Sequence, residues 1–367
     1  MSVADITAGQ GEAARSGKIL AFPVLIYLAV VMLPMGFNLG PLNLNGVRVV
    51  LMILIIPLAI RLVSGRCGPL LPTDIFFLLH ILWLLIAMVM NNPEQTVTFF
   101  GSQAVEFVGG YLLGRVCIRS REDFVALCRL VVLLVCLTLP FAIIEAITGR
   151  ALILEALNAL PGIRSDPNVN AGVRFGLQRA QGSFDHPILY GLFSALIFPL
   201  AFVALKAVYS TTTRYVLSLL IGLCVFLSLS GGPLMAFVMQ MILIGWAAAF
   251  DKVNARWWLL LAFAVFCYVV VDILSTRDPI RVFLTYATFS THTAWNRINI
   301  FNFGMDNVWA NPIFGLGLKD WARPFWMGSS MDNFWLVQAV RYGIPGFALI
   351  AGGYLIALWK IGWRDFD

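Results

Sequence analysis

Long apolar runs separated by short polar breaks dominate the chain. They centre on Ile19–Phe37, Val47–Val63, Ile75–Met90, Val97–Gly114, Phe124–Ile147, Ile188–Leu205, Tyr215–Leu229, Leu234–Phe250, Trp257–Leu274 and Phe334–Trp359. Each lies near the roughly 20 residues a helix needs to cross a bilayer, with interfacial residues completing the shorter ones. Helix is the expected state, because an open strand edge in lipid leaves backbone groups unpaired. The alternating pattern of an outer-membrane barrel is absent. The last run is long enough to contain a re-entrant first turn. The first is not followed by a small-residue cleavage motif, so it reads as an anchor rather than a signal peptide. The expected fold class is all-α, a polytopic helical membrane protein of about ten transmembrane helices.

Composition strengthens this picture. Of 367 residues, 60% are hydrophobic and only 12% charged, against about 45–50% and 25% in soluble domains. Soluble enzymes, nucleic-acid binders and disordered scaffolds are thereby set aside. The net charge of +6 is informative through its placement. With the N-terminus inside, the inner loops and their flanks hold Arg15, Lys18, Arg61, Arg66, Arg115, Arg119, Arg121, Arg129, Lys206, Arg214, Lys252, Arg256, Lys360 and Arg364. The short outer loops Asn38–Gly46, Asn91–Thr96 and Ser230–Pro233 contain no Lys or Arg. This is a positive-inside pattern, and it supports an even number of spans. The six cysteines fall in spans or on the inner side, so neither disulfides nor a thiolate metal site is expected outside.

Two outer loops break the economy of the rest: Thr148–Pro187, and Ser275–Asp332. Connections this long are usually functional or disordered, and the abundance of Trp, Phe, Leu and Ile argues against disorder. Short helices at the interface are expected in them. They carry Arg150, Arg164, Arg174, Arg179, Arg277, Arg281, Arg297, Lys319 and Arg323. Any single arginine could rest on a lipid headgroup or pair with Asp166, Asp185, Asp278 or Asp306. As a set they suggest an anionic lipid-linked substrate such as a diphosphate, since guanidinium grips phosphate in a bidentate way. Within the spans, His80, Glu106 with Ser102 and Gln103, and Glu145 are the main polar residues. They are functional candidates or helix–helix glue. Glu145 is near the outer end of its span, within reach of a site in the first long loop. Protease and ATPase motifs are absent, and Gly315-Leu-Gly317 reads as a turn.

Three motifs carry a family resemblance. Arg179-Ala-Gln-Gly182-Ser-Phe-Asp185-His-Pro187, leading into a span, resembles the segment before the middle helices of the O-antigen ligase and Wzy-type polysaccharide polymerase superfamily. Trp295-Asn-Arg297, followed by Asn311-Pro-Ile-Phe-Gly-Leu-Gly317, resembles that family's large periplasmic loop. Asp332-Asn333, nine residues, Gly343, two residues and Gly346 is similar to a ligase pattern that begins with His. Here Asp332 stands in place of that His.

The resemblance implies a GT-C-like, metal-independent glycosyltransferase of the bacterial inner membrane, without a cofactor, using a glycan on undecaprenyl diphosphate as donor. The apolar runs and the charge placement divide the chain into a cytoplasmic tail (1–18), N-terminal transmembrane helices (19–147) and a first periplasmic loop (148–187). Middle helices (188–274), a large periplasmic loop (275–333), and a last helix with a cytoplasmic end (334–367) follow. The resemblance assigns Arg179 and Arg297 to the leaving diphosphate, and Asp332 to general base or acceptor orientation. Asp332 and Asn333 are equally suited to cap the helix starting near Phe334. Arg174, Asn333, Asp185, Arg281, Lys319 and Glu145 are expected to bind substrate, with Gly182, Gly343 and Gly346 as motif glycines. The Asp-Asn pair resembles the polymerases of O-antigen, capsule and exopolysaccharide more than the ligases. Expected partners are lipid-linked donor and acceptor oligosaccharides, the bilayer, and a chain-length regulator or flippase; nucleic acid is not among them. The alternatives are an O-antigen ligase or protein O-oligosaccharyltransferase, an anionic solute transporter, and a non-catalytic partner in glycan export.

Overall fold

The computed structural model describes residues 19–39, 42–165, 172–275, 282 and 291–364. Every apolar run contains a helix. In order these are α1 (Phe22–Met32), α2 (Gly46–Val63), α3 (Pro72–Asn91), α4 (Thr96–Cys117) and α5 (Arg121–Thr148). They continue with α6 (Leu152–Asn158), α7 (Pro187–Pro199, extended by a π turn over Leu200–Ala204), α8 (Thr211–Leu227), α9 (Gly231–Ala249), α10 (Arg256–Leu274), α11 (Thr291–Ala310) and α12 (Phe334–Arg364). Two hairpins, β1 (Gly36–Leu39) with β2 (Leu42–Asn45), and β3 (Val173–Arg174) with β4 (Leu177–Gln178), are antiparallel.

Among the described residues, seven helices are long and apolar enough to cross a membrane. Two of the other three predicted spans, α1 and α8, are shorter apolar helices. In α1 the cause is local: Pro34 disfavours helical geometry at Leu33, whose φ of −122° and ψ of 84° close the helix at Met32. The third, α4, has the length but interrupts its apolar surface with Ser102, Gln103 and Glu106. Much of the apolar surface faces outward. None of the residues of α10 is buried, as expected where lipid is the solvent. The protein is a multi-pass helical membrane protein.

The chain forms two compact units, Met1–Cys67 with Gly109–Trp246, and Gly68–Val108 with Ala247–Asp367. In the first, α5 is delimited by local chemistry. Ser120 and Asp123 form a reciprocal capping box at its start, and Gly149 closes it in the left-handed conformation. Tyr190 of α7 is buried against it, with its hydroxyl 3.0 Å from Thr138 Oγ1. At the end of this unit away from the long loop, Arg115 and Arg119 donate to the carbonyls of Cys67 and Arg66. Arg214 donates to Phe202 O.

In the second unit α12 is broken at Gly343 (φ 73°, ψ 178°). A break at this point would leave backbone groups unpaired among apolar helices, and the surroundings supply partners. Leu316 N donates to Val340 O, Gly317 N to Arg341 O, and Ile344 N to Pro312 O. From α3, Trp83 Nε1 donates to Tyr342 O and His80 Nδ1 to Gly346 O, each at 2.9 Å. One ring nitrogen of His80 is therefore used in holding the break. Asn91 Nδ2 donates to Phe314 O, and Asn92 Oδ1 accepts from Leu318 N. The large loop differs from expectation in one respect: it contains a full 20-residue helix, α11, rather than only short ones. Ile300 and Val308 of α11 share a small core with Trp321, Met327, Leu336 and Val340, which explains why so polar a helix persists.

Candidate functional site

In the first unit the site is assembled on a buried carboxylate. Glu145, in the last turn of α5, is 5% exposed. Its Oε1 accepts from Gln181 N at 3.0 Å and its Oε2 from Gly182 N at 2.9 Å. Gly182 has φ +59°, and a Cβ there would lie 2.9 Å from the Tyr190 ring, so both conformation and space require glycine. The chain arriving at this turn is tied to the α8–α9 junction: Ala180 N donates to Leu227 O. Arg179 Nη2 donates to Ser230 Oγ at 2.7 Å, and its Nε to Ser228 O at 3.4 Å. Arg174 Nη1 donates to Leu229 O at 2.6 Å. Burial, and then the neighbouring charge of Arg174, lower the Arg179 pKa from its ordinary value. Two guanidinium groups are therefore held within electrostatic reach of each other.

Glu145 works through the loop. An expected outcome follows: Glu145→Gln replaces one acceptor by an NH2 facing a backbone N–H. It should cost about 2 kcal/mol or more, read as a lower melting temperature of the purified protein in detergent.

A second feature lies at the same end of this unit, a half-open cavity of about 690 Å³. Arg48, Arg164, Asn45, Ser165 and Asp185 line its polar side. Its frame is zipped by backbone bonds. Gly36 and Arg164 exchange both of theirs, at 3.0 and 2.8 Å, and Gly46 N donates to Met35 O. Asn45 caps α2 through Arg48 N. Asp185 thus sits at the cavity, at the opposite end of the Arg179–Pro187 segment from the Arg174–Arg179 pair. Arg48 was not anticipated, because it falls inside an apolar run. The available signal was a basic residue in the first turn of a helix at its outer end, which the positive-inside pattern disfavours.

In the second unit, Arg297 is half-buried on α11, and Trp295 beside it stacks on Trp326 with centroids 5.2 Å apart. Asp332 is exposed just before α12, and Lys319 is exposed in the preceding loop. Neither Arg297 nor Asp332 has a side-chain hydrogen bond or ion pair among the described residues. The capping role falls to Asn333, whose Oδ1 accepts from Leu336 N at 3.2 Å, leaving the Asp332 carboxylate available. Asn333 also borders an apolar cavity of about 340 Å³ with Trp309 and Trp335. Gly343 and Gly346 form and flank the break in α12. Arg281 lies outside the described residues. The two groups of candidate residues, with Arg174, Arg179, Asp185, Glu145 and Gly182 in one and Arg297, Lys319, Asp332 and Asn333 in the other, belong to different units. Because Asn333 caps the helix and Asp332 does not, Asn333→Ala should cost about 1 kcal/mol of stability. Asp332→Asn should leave the melting temperature unchanged.

Residues 216–351 match the O-antigen ligase family. The match is consistent with membership of the O-antigen ligase and Wzy superfamily, whose members are membrane glycosyltransferase-like enzymes acting on lipid-linked oligosaccharides. The ligase-type segment contains Arg297, Lys319, Asp332, Asn333 and both glycines of the α12 break. It also contains the Leu227–Ser230 junction on which Arg174 and Arg179 rest, although those two arginines precede it. No curated protein matches the chain, and no solved structure does.

Proposed function

We propose that the protein is a polymerase of a bacterial surface polysaccharide, acting at the periplasmic face of the inner membrane. It would transfer a glycan from undecaprenyl diphosphate to the end of another lipid-linked repeat unit. The observation carrying this reading is the exposed carboxylate of Asp332, unpartnered among the described residues, at the position where the ligase pattern it resembles has histidine. In the step, an acceptor hydroxyl attacks the anomeric carbon and the bond from that carbon to the phosphate oxygen breaks. The lipid diphosphate departs on the opposite face, and the hydroxyl proton passes to Asp332. Arg297 and Arg179 are assigned to the negative charge that grows on the departing diphosphate. Arg174, Lys319, Asp185 and Asn333 are assigned to holding the substrates. No metal or other cofactor is given a role. A chain-length regulator or flippase is the kind of partner such an enzyme would use.

The test is an elongation assay with purified protein and undecaprenyl-diphosphate-linked repeats, without ATP or divalent metal. A ladder spaced by one repeat is the expected product. No ladder with competent substrate, and transfer once a separate lipid A or protein acceptor is supplied, would replace this reading by the ligase or oligosaccharyltransferase one.

A further inference from the structure

The first unit contains a buried charge that the protein fixes in place and does not neutralise. Arg214, near the start of α8, is 9% exposed. It lies about 20 Å along the helix from the Leu227–Ser230 junction on which Arg174 and Arg179 rest. Its Nη1 donates to Phe202 O of the π turn at 2.7 Å, and its guanidinium stands over the Phe202 ring, 5.2 Å from the centroid. Its Nε is enclosed with no partner, as is the hydroxyl of Ser218, one turn further along α8. Among the described residues no carboxylate pairs with Arg214. The sequence itself contains no Asp or Glu between His186 and Phe250.

Buried charges are ordinarily paired, and an enclosed donor without a partner calls for a bound ion or water. A water would satisfy Nε and leave the charge uncompensated, so an anion answers both observations. The first turn of α8 has no acidic residue, and the positive end of the helix dipole adds to the attraction. Lys206, exposed in the connection before α8, supplies a second cation. Guanidinium geometry fits phosphate, and at the end of an apolar helix the phosphates at hand are those of lipid headgroups. Val216 and Leu219, exposed on the next turn of α8, offer acyl chains an apolar surface. We propose that this end of α8 binds the phosphate of an anionic phospholipid, with Arg214 as anchor, Lys206 at the rim and the acyl chains along Val216 and Leu219. This site is separate from substrate binding and does not depend on the polymerase reading.

The experiment places the full chain in phosphatidylcholine nanodiscs containing a minor share of phosphatidylglycerol and identifies retained lipids by native mass spectrometry. One phosphatidylglycerol per chain is expected to survive release from the disc, in preference to phosphatidylcholine. Arg214→Gln and Lys206→Glu should each weaken its binding about 10- to 100-fold, the loss of charged hydrogen bonds to phosphate. Arg66→Gln, which removes an exposed arginine elsewhere in the same unit, should leave it unchanged. Arg214→Gln also gives up the bond to Phe202 O. Lys206→Glu changes only an exposed side chain and keeps the test decisive should the first variant fail to fold. Unchanged retention in Lys206→Glu would overturn the proposal. A loss of equal size in Arg66→Gln would do so too, by showing diffuse attraction to basic residues. Displacement by glycerol 1-phosphate as effective as that by phosphatidylglycerol would make this a soluble-anion site and overturn the lipid assignment.

Discussion

Replacing Arg297 by alanine is expected to lower elongation about 100–1,000-fold while the protein still accumulates in the membrane, the range found when one preorganised electrostatic donor is removed. The expectation is sharper for Arg297 than for Arg179. The Arg179 guanidinium also holds Ser228 O and Ser230 Oγ, so its loss would loosen the loop as well as weaken the site. Arg297 has no side-chain partner among the described residues and is only half-buried, so its removal leaves no orphaned group. Arg297→Lys keeps the charge and loses the planar fork, and should recover part of the activity. The readout is polymer length on a gel against membrane protein level by immunoblot. Normal length in Arg297→Ala would remove the residue from the chemistry.

The largest loss of stability is expected from Gly343→Ala. The φ of +73° is costly for any residue with a side chain, and a Cβ there would overlap the Ile313 carbonyl. Relief requires the 311–318 segment to leave the break. That releases the bonds from Leu316 N, Gly317 N and Ile344 N, at 2.8, 3.0 and 2.8 Å, among apolar helices where no water replaces them. A cost of about 4 kcal/mol or more follows, at the extreme of single-substitution effects. It would be read as a collapse of the melting temperature in detergent and rapid proteolysis within 311–333. Gly362→Ala is the control, since a Cβ at Gly362 meets nothing within 4 Å. Comparable loss in both variants would show that the break is not what the 311–318 segment supports.

The positions of the apolar helices were legible in the chain because each span carries its own signal, a continuous run of apolar residues bounded by charge or proline. A cap before Phe334 was legible only as a pair of candidates, Asp332 and Asn333, and the structure gives the role to Asn333. The two long loops stood out by length and by arginine, and the two motifs carrying Arg297 and Asp332 fall within the segment that matches the ligase family. What a site residue touches was not legible. Glu145 looked like a polar residue near a substrate, and its oxygens are spent on the amides of Gln181 and Gly182, 36 and 37 positions away. His80 looked like an intramembrane ionisable group, and it holds the carbonyl of Gly346, 266 positions on.

By itself, then, the sequence determined which segments are helical and apolar and where the unusual charge lies, since these depend on neighbours within a turn or a span. Only the tertiary structure decided that Arg48 shares a cavity with Arg164 and Asp185, and that Arg174 and Arg179 rest on one helix junction. It also decided that the Asn311–Gly317 and Asp332–Gly346 motifs meet at a single break. Those pairings are made by hydrogen bonds between segments far apart in the chain, each satisfying a backbone group that lipid could not, and no local periodicity encodes them.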